Sequence, residues 1–440
     1  MPDCKALLTG SGRADIGGIL HGLGVTVACK ASAVACSYAL HCVLARLLGA
    51  EGFGIFMLAF AVTVSASFLG RFGQDYILLR RASICAGTGD TGTLAAWFRR
   101  SIFLSACAAL LLTAAFAFSA RDVCGRVFHN NGLYIPLLCM LPAVLPQALL
   151  FLEAETLKGV GRIRASQLLQ GDGGGVAVYG AALCLAPLLG LAFGPAGACA
   201  GFSAASFFGM ALGGRAIRLL LAGAPACPPP SYGELVRRGF PLFAAAVLAI
   251  AAARMGVVLL GAWQTAALVG IFAAAQKLSL LGSNVQSACC TVMGPRIARL
   301  HAERDRQALA RYYGRGTLLV AALAGALLGC VALFAEELLA LFGDSFVEGA
   351  PCLRLLAAGE MLTLLFGPTS IALIVTGHGK EHCRAVAVAV AVALAFGVVA
   401  VQLMGLAGAA LATSLCNVLQ TLIQARYIWN RLGFFPFPMK

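Results

Sequence analysis

The sequence predicts an all-α integral membrane protein with twelve transmembrane helices, in two six-helix lobes related by a pseudo-twofold along the membrane normal. Three observations carry that prediction: a shortage of charge, an alternation of basic and charge-poor breaks between apolar runs, and short motifs that recur half a chain apart. Of 440 residues, 60% are hydrophobic and 11% charged, against about 25% charged in soluble domains. Mean hydropathy is +0.89. So few charges cannot clothe a water-facing surface, and the charge-poor stretches run to about 20 residues, the length that crosses a ~30 Å hydrocarbon core.

Spans fall at about 20–45, 52–74, 97–118, 133–153, 166–188, 195–220, 239–261, 267–293, 316–336, 350–376, 384–404 and 407–428. The first run, which continues to about residue 44 and carries Lys30, is too long for a cleavable signal h-region. Residues 1–222 form the expected N-terminal lobe, 223–238 a cytoplasmic linker and 239–440 the C-terminal lobe. The linker contains Pro228-Pro229-Pro230, which cannot sit in a helix interior.

Loop charges orient the spans. Of 32 Lys and Arg, 25 fall in the breaks or at the span ends flanking them on one side, three (Arg46, Arg121, Arg126) on the other, and four (Lys30, Arg254, Lys277, Arg354) inside spans. One missed or invented span would invert every later loop, so the bias supports the span count as well as the orientation. The positive-inside rule places the basic side, and both termini, in the cytoplasm. The net charge of +14 is thus topological; no basic stripe interleaved with aromatics suggests nucleic acid. The expected location is the bacterial cytoplasmic (inner) membrane. Most of the 17 cysteines lie in apolar runs, where they act as small hydrophobes, and no C-x-x-C pair suggests metal or redox chemistry.

The halves echo each other. Leu47-Leu48-Gly49 with Gly54-Ile55-Phe56 recurs as Leu259-Leu260-Gly261 with Gly270-Ile271-Phe272. Val127-Phe128 before Pro136 recurs as Leu341-Phe342 before Pro351, Lys158–Arg162 as Thr376–Lys380, and Gly197-Ala198 as Gly408-Ala409. An even number of spans per half puts both halves in one orientation, as in parallel-repeat transporters, whose substrate sites lie near the midplane between halves.

Charges inside the membrane mark function or internal pairing. Lys30, Arg254, Lys277 and Glu360 sit near span centres, and together cost on the order of 10 kcal/mol to insert. Arg71, Asp75 and Asp172 lie nearer the cytoplasmic third, and Arg354 snorkels at an outer end. Pairing, for example Lys277 with Glu360, is one reading; a water-filled cavity is the other. Three central cations against one anion leave positive charge over, which suits an anionic substrate such as a phosphate or pyrophosphate group. The expected substrate-cavity residues are therefore Lys30, Arg71, Arg254 and Lys277. Asp75, Asp172 and Glu360 are candidates for ion coupling or pairing.

Other motifs carry less. His378-Gly379-Lys380-Glu381-His382 matches an H-x-x-E-H metal pattern, but it is expected in a short cytoplasmic turn rather than the helix that pattern needs. Gly171-Asp172-Gly173-Gly174-Gly175 has neither a phosphate-loop nor a dinucleotide frame. Gly18/Gly22 and Gly197/Gly201 are small-residue helix contacts. No nucleophile–base–acid set, metal set or cofactor motif points to an enzyme.

The first hairpin, Leu44-Ala45-Arg46-Leu47-Leu48-Gly49-Ala50-Glu51-Gly52-Phe53-Gly54, resembles the polysaccharide-biosynthesis (O-antigen-type) flippases of the multidrug/oligosaccharidyl-lipid/polysaccharide exporter superfamily. So do Gly70-Arg71-Phe72-Gly73-Gln74-Asp75 with Arg80, Leu338–Gly343, and Met404–Ala410. The resemblance implies a two-lobed, V-shaped transporter moving a lipid-linked oligosaccharide (a polyprenyl-pyrophosphate glycan) from the cytoplasmic to the outer leaflet by alternating access. Lys30, Arg254 and Lys277 fall on the first, seventh and eighth spans, where such flippases carry cavity cations. The absence of two extra C-terminal helices argues against the peptidoglycan-precursor branch. The expected partners are the anionic lipid-linked glycan, the bilayer, and a glycan polymerase or other assembly protein around a monomer. The alternatives are a cation-coupled multidrug antiporter of the same fold, which would need more acids, and a non-transporting scaffold for glycan assembly.

Overall fold

A computed structural model describes residues 14–170, 175–303 and 305–434. The described residues are helical, with no strands. Nine of their helices are long and apolar enough to span a bilayer, and one bent pair brings the number to ten. Two of the nine are double. α1 (Ala14–Gly70) breaks at Gly49, with φ 68 and ψ 179, and α7 (Val176–Leu220) breaks at Gly194, with φ 61 and ψ −147. Both backbone conformations are open only to glycine. Counting each as two spans and the bent pair as one gives the expected twelve.

The chain divides into two compact units. Unit 1 comprises Met1–Leu47, Val62–Val123 and Asn131–Ala246. It contains α2 (Gln74–Thr88), α3 (Thr91–Asp122), α4 (Tyr134–Met140), α5 (Val144–Gly159), α6 (Ile163–Leu169), α7 and the start of α8 (Tyr232–Trp263). Here α5 is central, packing against α2, α3, α6 and α7. Trp97, Leu152 and Leu235 form its core near the basic end. Asp90 caps α3 by accepting from the Thr93 N–H at 2.9 Å, satisfying one orphan donor of the first turn. Because α8 already begins at Tyr232, the non-helical part of the expected linker is shorter than 223–238.

Unit 2 comprises Leu48–Ala61, Cys124–Asn130 and Val247–Lys440. It contains α9 (Ala266–Ala302), α10 (Arg306–Leu333), α11 (Ala335–Ala340), α12 (Ala350–Leu364), α13 (Thr369–Val375), α14 (Gly379–Met404) and α15 (Leu406–Leu432). α12 lies among α9, α10 and α15, around a core that includes Tyr313, Leu328, Leu364 and Ile428. The expected span 350–376 is not one straight helix. α12 and α13 meet at 41°, because Gly367 takes φ 67 and the ring of Pro368 cannot continue a helix.

The repeat is visible in the backbone of each unit. In unit 1, Arg162 N donates to Leu157 O at 2.9 Å and Gly161 N to Lys158 O at 3.0 Å; in unit 2, His378 N donates to Leu373 O at 2.8 Å and Gly377 N to Ile374 O at 3.2 Å. These pairs, with Gly161 at φ 80 and Gly377 at φ 85, align two residues away from the sequence match of Lys158 with Thr376. At the other end, Gly194 and Gly405 are both left-handed. After each, a glycine lies on the preceding helix: a Cβ at Gly197 would meet the Leu189 carbonyl, and one at Gly408 the Ala400 carbonyl. Span pairs five–six and eleven–twelve are therefore the same tight hairpin. A third close approach lies in unit 2, where α1 just beyond its break meets α9. A Cβ on Gly54 would lie 3.0 Å from Gly270 N, and one on Gly270 3.0 Å from Gly54 N. Motifs matched in sequence thus face each other.

Candidate functional site

In unit 1 the side chain of Lys30 and the whole of Asp172 lie outside the described residues. Arg71 ends the first hairpin, where Phe72 at φ 49 and Gly73 at φ 70 turn the chain into α2. It is a fully buried cation, 2% exposed. Its guanidinium lies between two rings, 3.7 Å from the Phe68 centroid and 3.4 Å from that of Phe151. Asp75, one turn on, approaches it at 4.0 Å. This geometry is that of a cation clamped by stacking and an adjacent carboxylate. Arg71 ties α1 to α5, and its burial differs from the open placement expected of a cavity cation.

Two buried carboxylates near the basic end of α5 escaped the sequence reading, which ended span four at residue 153. Glu153 is packed against Gly213 and Gly214 of α7, where a Cβ on Gly214 would lie 3.3 Å from Glu153 Oε1. Glu153 Oε2 is buried without a hydrogen-bond partner among the described residues. Glu155 pairs with Lys158 at 3.3 Å and accepts from the Gln170 amide. The available signal was Leu152–Lys158 itself: two acids two residues apart in an apolar run that continues helically for a further turn.

Unit 2 brings together the other expected residues. Arg254 on α8 is half-buried, with its guanidinium 5.6 Å from the Phe60 ring centroid. Lys277 on α9 is also half-buried. Glu360 on α12 is 8% exposed. It accepts from Ser283 Oγ of α9 at 3.1 Å and from Asn417 Nδ2 of α15 at 3.0 Å. Glu360 is therefore held by neutral donors, not by Lys277 as the pairing reading supposed. A buried carboxylate so held joins three spans and offers oxygens to a proton or small cation. Arg354 lies toward the surface, 3.0 Å from Glu336, as its outer-end position suggested.

The H-x-x-E-H segment differs from expectation in one respect. α14 starts at Gly379, so Glu381 and His382 are in its first turn rather than in a loop. His382 Nδ1 lies 3.0 Å from the Gln424 amide, and Thr376 Oγ1 3.1 Å from His378 Nδ1. Among the described residues no three His, Cys, Asp or Glu side chains are placed to hold a metal.

Comparison with known proteins agrees with this architecture. Residues 25–301 match the profile of a family described as polysaccharide biosynthesis protein. Among solved structures the fold is similar to an inward-facing multidrug-resistance MATE family transporter of the MOP superfamily, at 17% identity and TM-score 0.72, covering 93% of this chain and 98% of that one. It is also similar to a MOP superfamily transporter from Pyrococcus furiosus, at 15% identity and TM-score 0.68, covering 94% and 95%. A third is the lipid II flippase MurJ in an inward closed conformation, at 11% identity and TM-score 0.68, covering 90% and 86%. No curated protein matches the sequence at a significant level.

Proposed function

The chain belongs to the polysaccharide biosynthesis protein family, and from that premise we propose that it is a flippase that moves a lipid-linked, anionic oligosaccharide from the cytoplasmic to the outer leaflet by alternating access. It is a multi-pass membrane protein; its basic side, with both termini, is assigned to the cytoplasm and its membrane to the bacterial inner membrane. The observation that carries the reading is the excess of cations among the central charges of unit 2. Arg254 and Lys277 lie half-buried on consecutive spans, while Glu360 is satisfied by Ser283 and Asn417. At roughly 2.5–3.5 kcal/mol each, two central cations are an insertion cost that binding a pyrophosphate would justify. Lys30, on the first span, supplies the third cation of the set. Arg71 supports the site by fixing the end of the first hairpin.

Replacing Lys30, Arg254 and Lys277 together by Gln is expected to abolish glycan export while leaving membrane insertion intact. Normal export by an inserted triple variant would overturn the proposal. One observation favours the multidrug reading: Glu153, Glu155 and Glu360 provide more buried acids than the sequence suggested, and cationic drugs and coupling ions need such acids. Resistance to cationic drugs in cells carrying the protein, unaltered in the triple Gln variant but lost on Glu360→Gln, would select that reading instead.

A further inference from the structure

We propose that unit 1 carries a binding site for the head group of an anionic phospholipid, on the basic face where α3 meets the chain entering α8. A cavity of about 380 Å³ there is lined by Arg99, Arg100 and Phe103 of α3, by Cys227 and Pro229 of the linker, and by Tyr232 at the start of α8. That volume lies in the range of small-ligand sites.

The cavity sits at the depth of a head group. About 30 Å of helix separates Arg100 from Arg121 at 1.5 Å per residue, which is the thickness of the hydrocarbon core. The two arginines therefore bracket the core, and Arg100 lies at one interface. Phe103 follows one turn deeper, at the acyl boundary, and is 58% exposed. Its ring lies 6.0 Å from that of Tyr232. Aromatic rings at this level mark the membrane–water interface.

The charge at the site is uncommitted. Some arginines elsewhere on the basic face use nearby carboxylates: Arg238 meets Glu234 at 2.6 Å, Arg299 meets Glu303 at 2.8 Å and Arg431 meets Glu381 at 3.2 Å. Arg99 and Arg100 form no ion pair among the described residues. Arg100 instead stacks on Tyr232, its guanidinium 4.3 Å from the ring centroid, which orients the fork while leaving its outer donors available. Two arginines lining one cavity, one of them stacked on its aromatic floor and the whole open to lipid on the Phe103 side, fit a phosphodiester whose acyl chains run down α3. Basic pockets between helices on the cytoplasmic side recognise lipid head groups in this way. Arginine suits a phosphate better than a point charge would, because its fork binds two oxygens at once.

The test uses the full chain in detergent, titrated with short-chain phosphatidylglycerol, with phosphatidylcholine of the same chain length and with inorganic phosphate. The wild-type protein is expected to prefer phosphatidylglycerol over phosphatidylcholine at least about tenfold. Arg99→Gln/Arg100→Gln is expected to reduce that preference to about twofold or less, and Tyr232→Leu to weaken it. Arg311→Gln, an exposed cation of unit 2, leaves it unchanged. Because the charge-neutral pair removes two topogenic residues, Arg99→Lys/Arg100→Lys is run beside it. It keeps the orienting charge and is expected to lose part of the preference. The proposal is overturned if the Gln pair keeps the wild-type ratio, if Arg311→Gln lowers it equally, or if inorganic phosphate displaces the lipid at equal concentration.

Discussion

Gly54→Ala probes the contact between α9 and the part of α1 just beyond its break, where nothing soft can yield. The new methyl would point at the Ala266 carbonyl and lie 3.0 Å from Gly270 N, so the obstruction is backbone on both counts. Small residues are what allow membrane helices this approach, and overfilling such a seam costs about 1–3 kcal/mol. At about 2–4 °C per kcal/mol for a body of this size, the melting temperature in detergent should fall by roughly 2–12 °C. Gly270→Ala, whose methyl would meet the Ala50 carbonyl, should cost a similar amount. The double variant should cost less than the two singles together by at least about 0.5 kcal/mol, because the first methyl separates helices that the second then no longer crowds. Gly325→Ala in α10 is the control. Nothing lies within 4 Å of a Cβ there, and alanine gains about 1 kcal/mol of helix propensity over glycine. Thermal unfolding followed by tryptophan fluorescence measures all four. A Gly54→Ala shift below about 1 °C, or additive singles, would refute the assigned contact.

Two other outcomes follow from the buried charges. Arg71→Lys keeps the charge but loses the flat stack between Phe68 and Phe151, so it should cost about 1–2 kcal/mol in detergent; a variant as stable as wild type would show that stacking is not what holds the first hairpin to α5. Glu360→Gln retains an oxygen for Asn417 or Ser283 and removes a buried ionisable group, so stability should stay within about 1 kcal/mol of wild type. If Glu360 couples ion movement to transport, export by the same variant falls at least tenfold; unchanged export would remove it from the coupling step.

Much of the fold was legible because the membrane leaves few options. Backbone groups in hydrocarbon must be satisfied within the helix, so apolar length and loop charge together delimit the spans. What stayed hidden were the places where tertiary contact overrides length. The bend of span ten was written in Phe366-Gly367-Pro368, but an apolar run on both sides concealed it. Phe68 lies within a turn of Arg71 and could have been proposed as its neighbour; Phe151 comes from another helix, and no periodicity relates the two. Glu153 and Glu155 fell at and beyond the expected end of span four because span length was counted from the apolar run alone, whereas α5 carries both into the packed interior.

The repeat explains why backbone was easier to read than chemistry. Turns that need a left-handed glycine recur, as at Gly161 and Gly377 or Gly194 and Gly405, because no other residue adopts them at low cost. Buried polar side chains face no such restriction, only the need for a partner and for volume. In unit 2, Gln424 of α15 reaches toward α13 and accepts from Thr369 Oγ1 at 2.7 Å. The repeat registers place Glu153 and Gly213 at the equivalent positions of unit 1. There the long side chain comes from the opposite helix: Glu153 extends from α5, and the glycine leaves the room it fills. The same space is filled once by a neutral pair and once by a buried carboxylate. One backbone plan, used twice, thus holds different polar contents.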